Sequence, residues 1–131
     1  MWLSKLEKFA LGMFVLDSIV TLQGVNPNYS NEGNPIVQWI FSHGPLALLL
    51  AWFIWAVVII KIHRKLNKPY KDVFIWVIGV SHGLAALTWL SPEWSHLLWF
   101  GSNFDFVTLS LYQIYFGVVF AIIFTLRVPH T

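Results

Sequence analysis

The stretch that decides the fold is Val73–Leu90, VFIWVIGVSHGLAALTWL. It approaches the ~20 residues that a helix needs to cross a bilayer. It is almost wholly apolar, yet Ser81-His82-Gly83 sits near its middle. A histidine at that depth in lipid is costly unless a neighbouring helix offers a partner or leaves a wet cavity. Gly79 and Gly83 form a G-x-x-x-G step, and Ala86 extends the same face. Small residues at this spacing let a second helix approach closely. His82 borders that face, so it is expected to look into the protein. Two readings stay open for it: a histidine that only hydrogen-bonds a neighbouring helix, and part of a functional site.

Composition sets the frame around this stretch. The 131 residues are 57% hydrophobic and only 11% charged, with a mean hydropathy of +0.67, so a single integral membrane domain is expected. Cysteine is absent, which excludes disulfides and thiol chemistry. No glycine-rich loop supports nucleotide binding. Ser18, Ser81 and Ser110 lie outside any nucleophile-turn context. The N-terminal run MWLSKLEKFALGMFVLDSIVTL begins like a signal peptide. Asp17 interrupts it and no small-x-small site follows, so it reads as a retained first span.

Outward from Val73–Leu90, the same apolar character recurs in three further stretches. The expectation is an all-α integral membrane four-helix bundle with spans at about 5–24, 45–66, 72–90 and 106–127. The basic residues support the count. Lys5 and Lys8 precede the first span, Lys61, Arg64, Lys65, Lys68 and Lys71 bracket the second connection, and Arg127 follows the fourth. The stretches 23–44 and 91–106 contain no Lys or Arg. Four spans therefore put every basic residue on one side, which is the cytoplasmic side with both termini. The run KIHRKLNKPYK reads as a topology determinant with some attraction to anionic lipid, and no nucleic-acid partner is expected.

Both outer loops carry helix punctuation. Asn34-Pro35 supplies a cap and a first-turn proline for a short interfacial helix ended by His43-Gly44. Ser91-Pro92 opens a similar element over Glu93–Phe100. Asp105 suits the N-cap of the last span.

Candidate chemistry lies in the outer half of the spans. Asp17 and Thr21 share a helix face. Asp17 lies about 10 Å below the outer end of its span and His82 about 12 Å below the end of its own, at 1.5 Å per residue. Ser110, Tyr112 and Gln113 sit at a similar level on the fourth span. A carboxylate and an imidazole at one depth can form a charge-assisted hydrogen bond that offsets part of the cost of burying both. Above this layer, Glu32, Asn34 and His43 lie in the loop that caps the outer mouth. Asp17, Glu32, His43 and His82 are together the ligand types of a divalent-metal site, although they make no local spacing motif.

Leu16-Asp17, Thr21, Glu32-Gly33-Asn34-Pro35 and the span entered through His43-Gly44-Pro45 carry a resemblance. Over about Phe9–Leu90 the chain resembles a small archaeal and bacterial multi-span membrane family of unknown function. Its marks are an Asp-x-x-x-Thr first helix and an E-x-N-P loop. The resemblance implies that Asp17, Thr21, Glu32, Asn34 and Pro35 belong together, and it implies no activity. A looser likeness, to small multidrug-resistance transporters, stops at four short spans and one acid in the first.

Three functions fit. The one favoured is a binding or accessory protein of the cell membrane, with its polar layer open to the outer face and an apolar surface that meets lipid, sister subunits or a larger complex. The second is a metal-dependent membrane hydrolase that uses Asp17 and His82 with Glu32 or His43. The third is a small proton-coupled transporter.

Overall fold

The computed structural model describes residues 2–25, 34–90 and 106–126. They form helices α1 (Lys5–Gly24), α2 (Pro35–Phe41), α3 (Pro45–Lys65), α4 (Tyr70–Leu90) and α5 (Phe106–Ala121). A π-helical turn, Ile122–Leu126, continues α5. No strand occurs among the described residues.

Local chemistry explains the ends. Ser4 caps α1 in a reciprocal box: its Oγ accepts from the Glu7 amide, and Glu7 Oε2 accepts from the Ser4 amide. Asn34 Oδ1 accepts from the amides of Ile36 and Val37, and Pro35 fills the first position of α2. Pro45 opens α3, and His63, Arg64 and Lys65 lie in its last turn, where positive charge suits the helix dipole.

α4 starts at Tyr70, two residues before the expected span, because the Pro69 carbonyl already accepts from Asp72 and Val73. A helix can begin on polar residues when its backbone bonds are closed, whatever the apolar pattern. The short element expected over Glu93–Phe100, the Asp105 cap, Glu32 and Arg127 lie outside the described residues.

α4 is the central element, with α1 on one side and α5 on the other. α1 and α4 run in the same direction. Phe9 rests on Gly79, Met13 on Gly83, and near the far end the Trp89 ring covers Gly24. This is the close approach expected of the Gly79–Gly83 face. A Cβ at position 79 would collide with the Phe9 ring. α5 runs antiparallel to α4. There, a Cβ at Gly117 would come within 2.5 Å of the Val77 Cα, and Trp76 stacks on Phe124. The π-helical turn brings Thr125 to the Trp76 indole, whose Nε1 donates to its hydroxyl at 2.5 Å.

α3 runs antiparallel to α1. Ala10, Ile59 and Ile75 form a fully buried knot between α1, α3 and α4, with Leu6, Phe74 and Ile78 packed around it. Beyond that knot α1 and α3 diverge. They leave a groove of about 410 Å³ lined by apolar side chains such as Leu11, Phe14, Leu49, Trp52 and Phe53.

The alternating directions gather every described basic residue, from Lys5 and Lys8 to Lys61–Lys71, at one end of the bundle. Among the described residues, one helix, Pro45–Lys65, is long and apolar enough to cross a membrane, and Ser110–Thr125 is a shorter apolar run. α1 is interrupted by Lys5, Glu7, Lys8 and Asp17.

Candidate functional site

Two carboxylate–imidazole pairs hang on α1, one in the middle of the bundle and one at its basic end. The middle pair is Asp17 with His82. Because α1 and α4 are parallel and both start at the basic end, residues equally far along each helix lie at one height. Asp17 Oδ2 accepts from His82 Nδ1 at 2.7 Å. Thr21, one turn on, donates from Oγ1 to the other carboxylate oxygen at 3.3 Å. Phe14 lies edge-on to the imidazole with ring centres 4.9 Å apart, and its carbonyl accepts from the Ser18 hydroxyl. Both side chains of the pair are mostly covered, with 17% and 21% of their surface exposed.

This geometry sets the proton. A carboxylate only accepts, so the hydrogen sits on His82 Nδ1. Nε2 is then the nitrogen available for chemistry, as the base or ligand atom of a neutral ring or the donor of a protonated one. A carboxylate held on the far nitrogen fixes the ring's tautomer and orientation.

The other expected site residues take different places. Ser110, Tyr112 and Gln113 are half-buried on α5. In the Asp17–Thr21–His82 cluster the Thr21–Asp17 hydrogen bond lies within α1 and the His82–Asp17 bond joins α1 to α4. Asn34 is the N-cap of α2. His43 closes the other end of α2: its Nδ1 lies 2.9 Å from the Trp39 carbonyl and its ring lies against the Trp39 indole.

Of the candidate metal set of Asp17, Glu32, His43 and His82, the structure brings Asp17 and His82 together. Among the described residues, no three His, Cys, Asp or Glu side chains converge as metal ligands. His43 is drawn into its own turn, and Glu32 lies outside the described residues.

The second pair was not anticipated from the sequence. Glu7 is 3% exposed and accepts four hydrogen bonds. His63 Nδ1 lies 2.9 Å from Oε1, and Arg64 reaches both oxygens through Nε at 3.0 Å and Nη2 at 3.2 Å. The Ser4 amide supplies the fourth at 2.9 Å. This is a two-pronged arginine clasp closed by an imidazole, and it ties the start of α1 to the end of α3. His63 Nε2 is buried and has no hydrogen-bond partner among the described residues. The one sequence signal was a lone acid, Glu7, between Lys5 and Lys8.

With this geometry in place, the comparisons with known proteins supply one match. A family described as "Domain of unknown function (DUF5658)" matches residues 8–102. The chain belongs to that family. The matched region carries Asp17, His63, Arg64 and His82 and stops before α5. It runs past Leu90, where the likeness read from the residues ends. Comparison with curated proteins gives no match, and neither does comparison with solved structures.

Proposed function

We propose that this is a small multi-span membrane protein, with α1, α3, α4 and α5 as spans, whose Asp17–His82 pair is the centre of a binding site reached from the non-basic end. The apolar surface supports the membrane setting. Leu46, Leu49, Leu50, Phe53 and Ile54 are exposed along α3, as are Val15, Leu16, Ile19 and Leu22 on α1 and Leu111 and Ile114 on α5. Contiguous apolar area on this scale is untenable in water and ordinary in lipid. The clustering of basic residues makes their end cytoplasmic.

The single observation that carries the site is the 2.7 Å contact between Asp17 and His82, two groups that are costly in lipid and satisfy each other. Their partial exposure leaves an approach to the imidazole. The pair suits a small hydrogen-bonding ligand or a cation, in keeping with a binding or accessory subunit. It also suits proton-coupled transport, because an imidazole held by a carboxylate can exchange a proton. A metal-dependent hydrolase has less support, since no third ligand joins the pair among the described residues.

Site-specific modification tests the reading. Diethyl pyrocarbonate added to the non-cytoplasmic side of sealed vesicles is expected to label His82, as located by mass spectrometry, in the parent and in Asp17→Asn. A His82 unreactive from that side in both proteins refutes a site open there. Proton flux that persists unchanged in Asp17→Asn liposomes removes the transport reading.

A further inference from the structure

The basic end holds a second cavity that the Asp17–His82 site does not use. It is a cleft of about 550 Å³ between the N-terminal segment, the end of α3 and the start of α4. Its charges are unevenly spent. Glu7 is saturated by four donors, and Asp72 lies 3.9 Å from Lys68. Lys5 and Lys71 also line the cleft, and among the described residues neither has an ion-pair partner. Arg64 spends two of its five N–H donors on Glu7 and is about a quarter exposed, so it has donors left for a ligand.

His63 also lines the cleft and is 2% exposed, and its Nε2 has no partner among the described residues. Since Glu7 fixes the proton on Nδ1, Nε2 presents a lone pair when the ring is neutral and an N–H when it is protonated. A buried polar atom in this position calls for a partner, and a ligand in the cleft can supply it.

We propose that this cleft binds a phosphate monoester group. Three cations, Lys5, Arg64 and Lys71, line the cleft, and arginine with lysine is the usual pairing for phosphate. The monoester also answers the histidine. At neutral pH part of a monoester population keeps a hydroxyl, and that hydroxyl donates to a neutral Nε2. The fully ionised monoester instead accepts from a protonated one. A diester has no hydroxyl to give, and sulfate has none at neutral pH, so both complement only the protonated ring. Trp2, almost fully exposed at the rim, suits a membrane–water boundary. The phosphate can belong to a soluble molecule or to a lipid headgroup of the cytoplasmic leaflet.

The test uses the full chain in phosphatidylcholine nanodiscs. Inorganic phosphate and sulfate are titrated by calorimetry. In parallel, nanodiscs containing phosphatidate or phosphatidylglycerol are compared for lipid retained on the protein by native mass spectrometry. Binding of inorganic phosphate over sulfate identifies a soluble source. Retention of phosphatidate over phosphatidylglycerol without free-phosphate binding identifies the headgroup. Either result supports the proposal. The double variant Lys5→Gln/Lys71→Gln leaves the Glu7 clasp in place and is expected to weaken binding roughly tenfold or more, about the effect of losing two charge contacts. Equal binding of phosphate and sulfate together with equal retention of the two lipids overturns the proposal, as does binding unchanged in the double variant or no binding of either probe.

Discussion

Replacing Glu7 with leucine is expected to be the most damaging single polar change in the described structure. The carboxylate is 3% exposed and its two oxygens accept from Ser4, His63 and both prongs of Arg64. Three losses add up. Removing one partner of a buried ion pair costs about 3–5 kcal/mol when the other charge stays buried. Arg64, with 27% of its side chain exposed, can turn partly toward water, so the low end of that range applies here. His63 then has both nitrogens without a partner, which adds about 1–3 kcal/mol if no water replaces the carboxylate. The capping box at Ser4 contributes about 1 kcal/mol more. Denaturant titration of the purified protein in mild detergent, followed by far-ultraviolet circular dichroism, reads the sum. A loss of about 4–6 kcal/mol is expected, allowing for overlap between these terms. The paired change Glu7→Leu/Arg64→Met should recover part of it, because it removes the stranded charge. A Glu7→Leu protein within about 1 kcal/mol of the parent refutes the clasp as a structural anchor.

Three other outcomes follow from the same structure. Asp17→Leu leaves the His82 Nδ1–H without its acceptor and is expected to cost about 1–3 kcal/mol in the same titration, whereas Thr21→Val, at the longer 3.3 Å contact, costs under about 1 kcal/mol; equal losses contradict the pairing. Gly117→Val drives a side chain into the Val77 backbone and should destabilise the α4–α5 contact by about 1–3 kcal/mol or more, so a neutral result shows that the two helices are farther apart than described. Asn34→Ala removes the cap of α2 and costs about 1 kcal/mol locally, seen as faster amide exchange at Ile36 and Val37; unchanged exchange rules out the cap.

Much of this arrangement is legible in the residues. Asn34-Pro35 and Gly44-Pro45 mark helix starts through their own backbone chemistry, and α2 and α3 begin there. The meeting of Asp17 with His82 can be anticipated because two ionisable groups at one depth of otherwise apolar helices have few other ways to be satisfied. The spacing of Gly79 and Gly83 announces a close helix neighbour, and α1 is that neighbour. The Glu7 clasp is not legible in this way. Its members lie at helix ends, where charge is the norm, and the run around His63-Arg64 reads equally well as a topology signal. Only the antiparallel placement of α3 against α1 brings them together, and no local spacing encodes it. The π-helical turn after α5 is hidden for a similar reason: IIFTL is an ordinary apolar run until Trp76 calls Thr125 inward.

The parallel course of α1 and α4 leaves an ambiguity that sterics alone do not resolve. Phe9 and Met13 on one helix, and Gly79 and Gly83 on the other, repeat at the same four-residue interval. Sliding α1 by one turn would therefore set a bulky side chain over a glycine again, at modest loss. The same slide would present Met13 or Thr21 to the imidazole in place of Asp17 and leave the carboxylate without its imidazole. The acid thus acts as an index mark: it makes one alignment of otherwise interchangeable rungs cheaper than its neighbours.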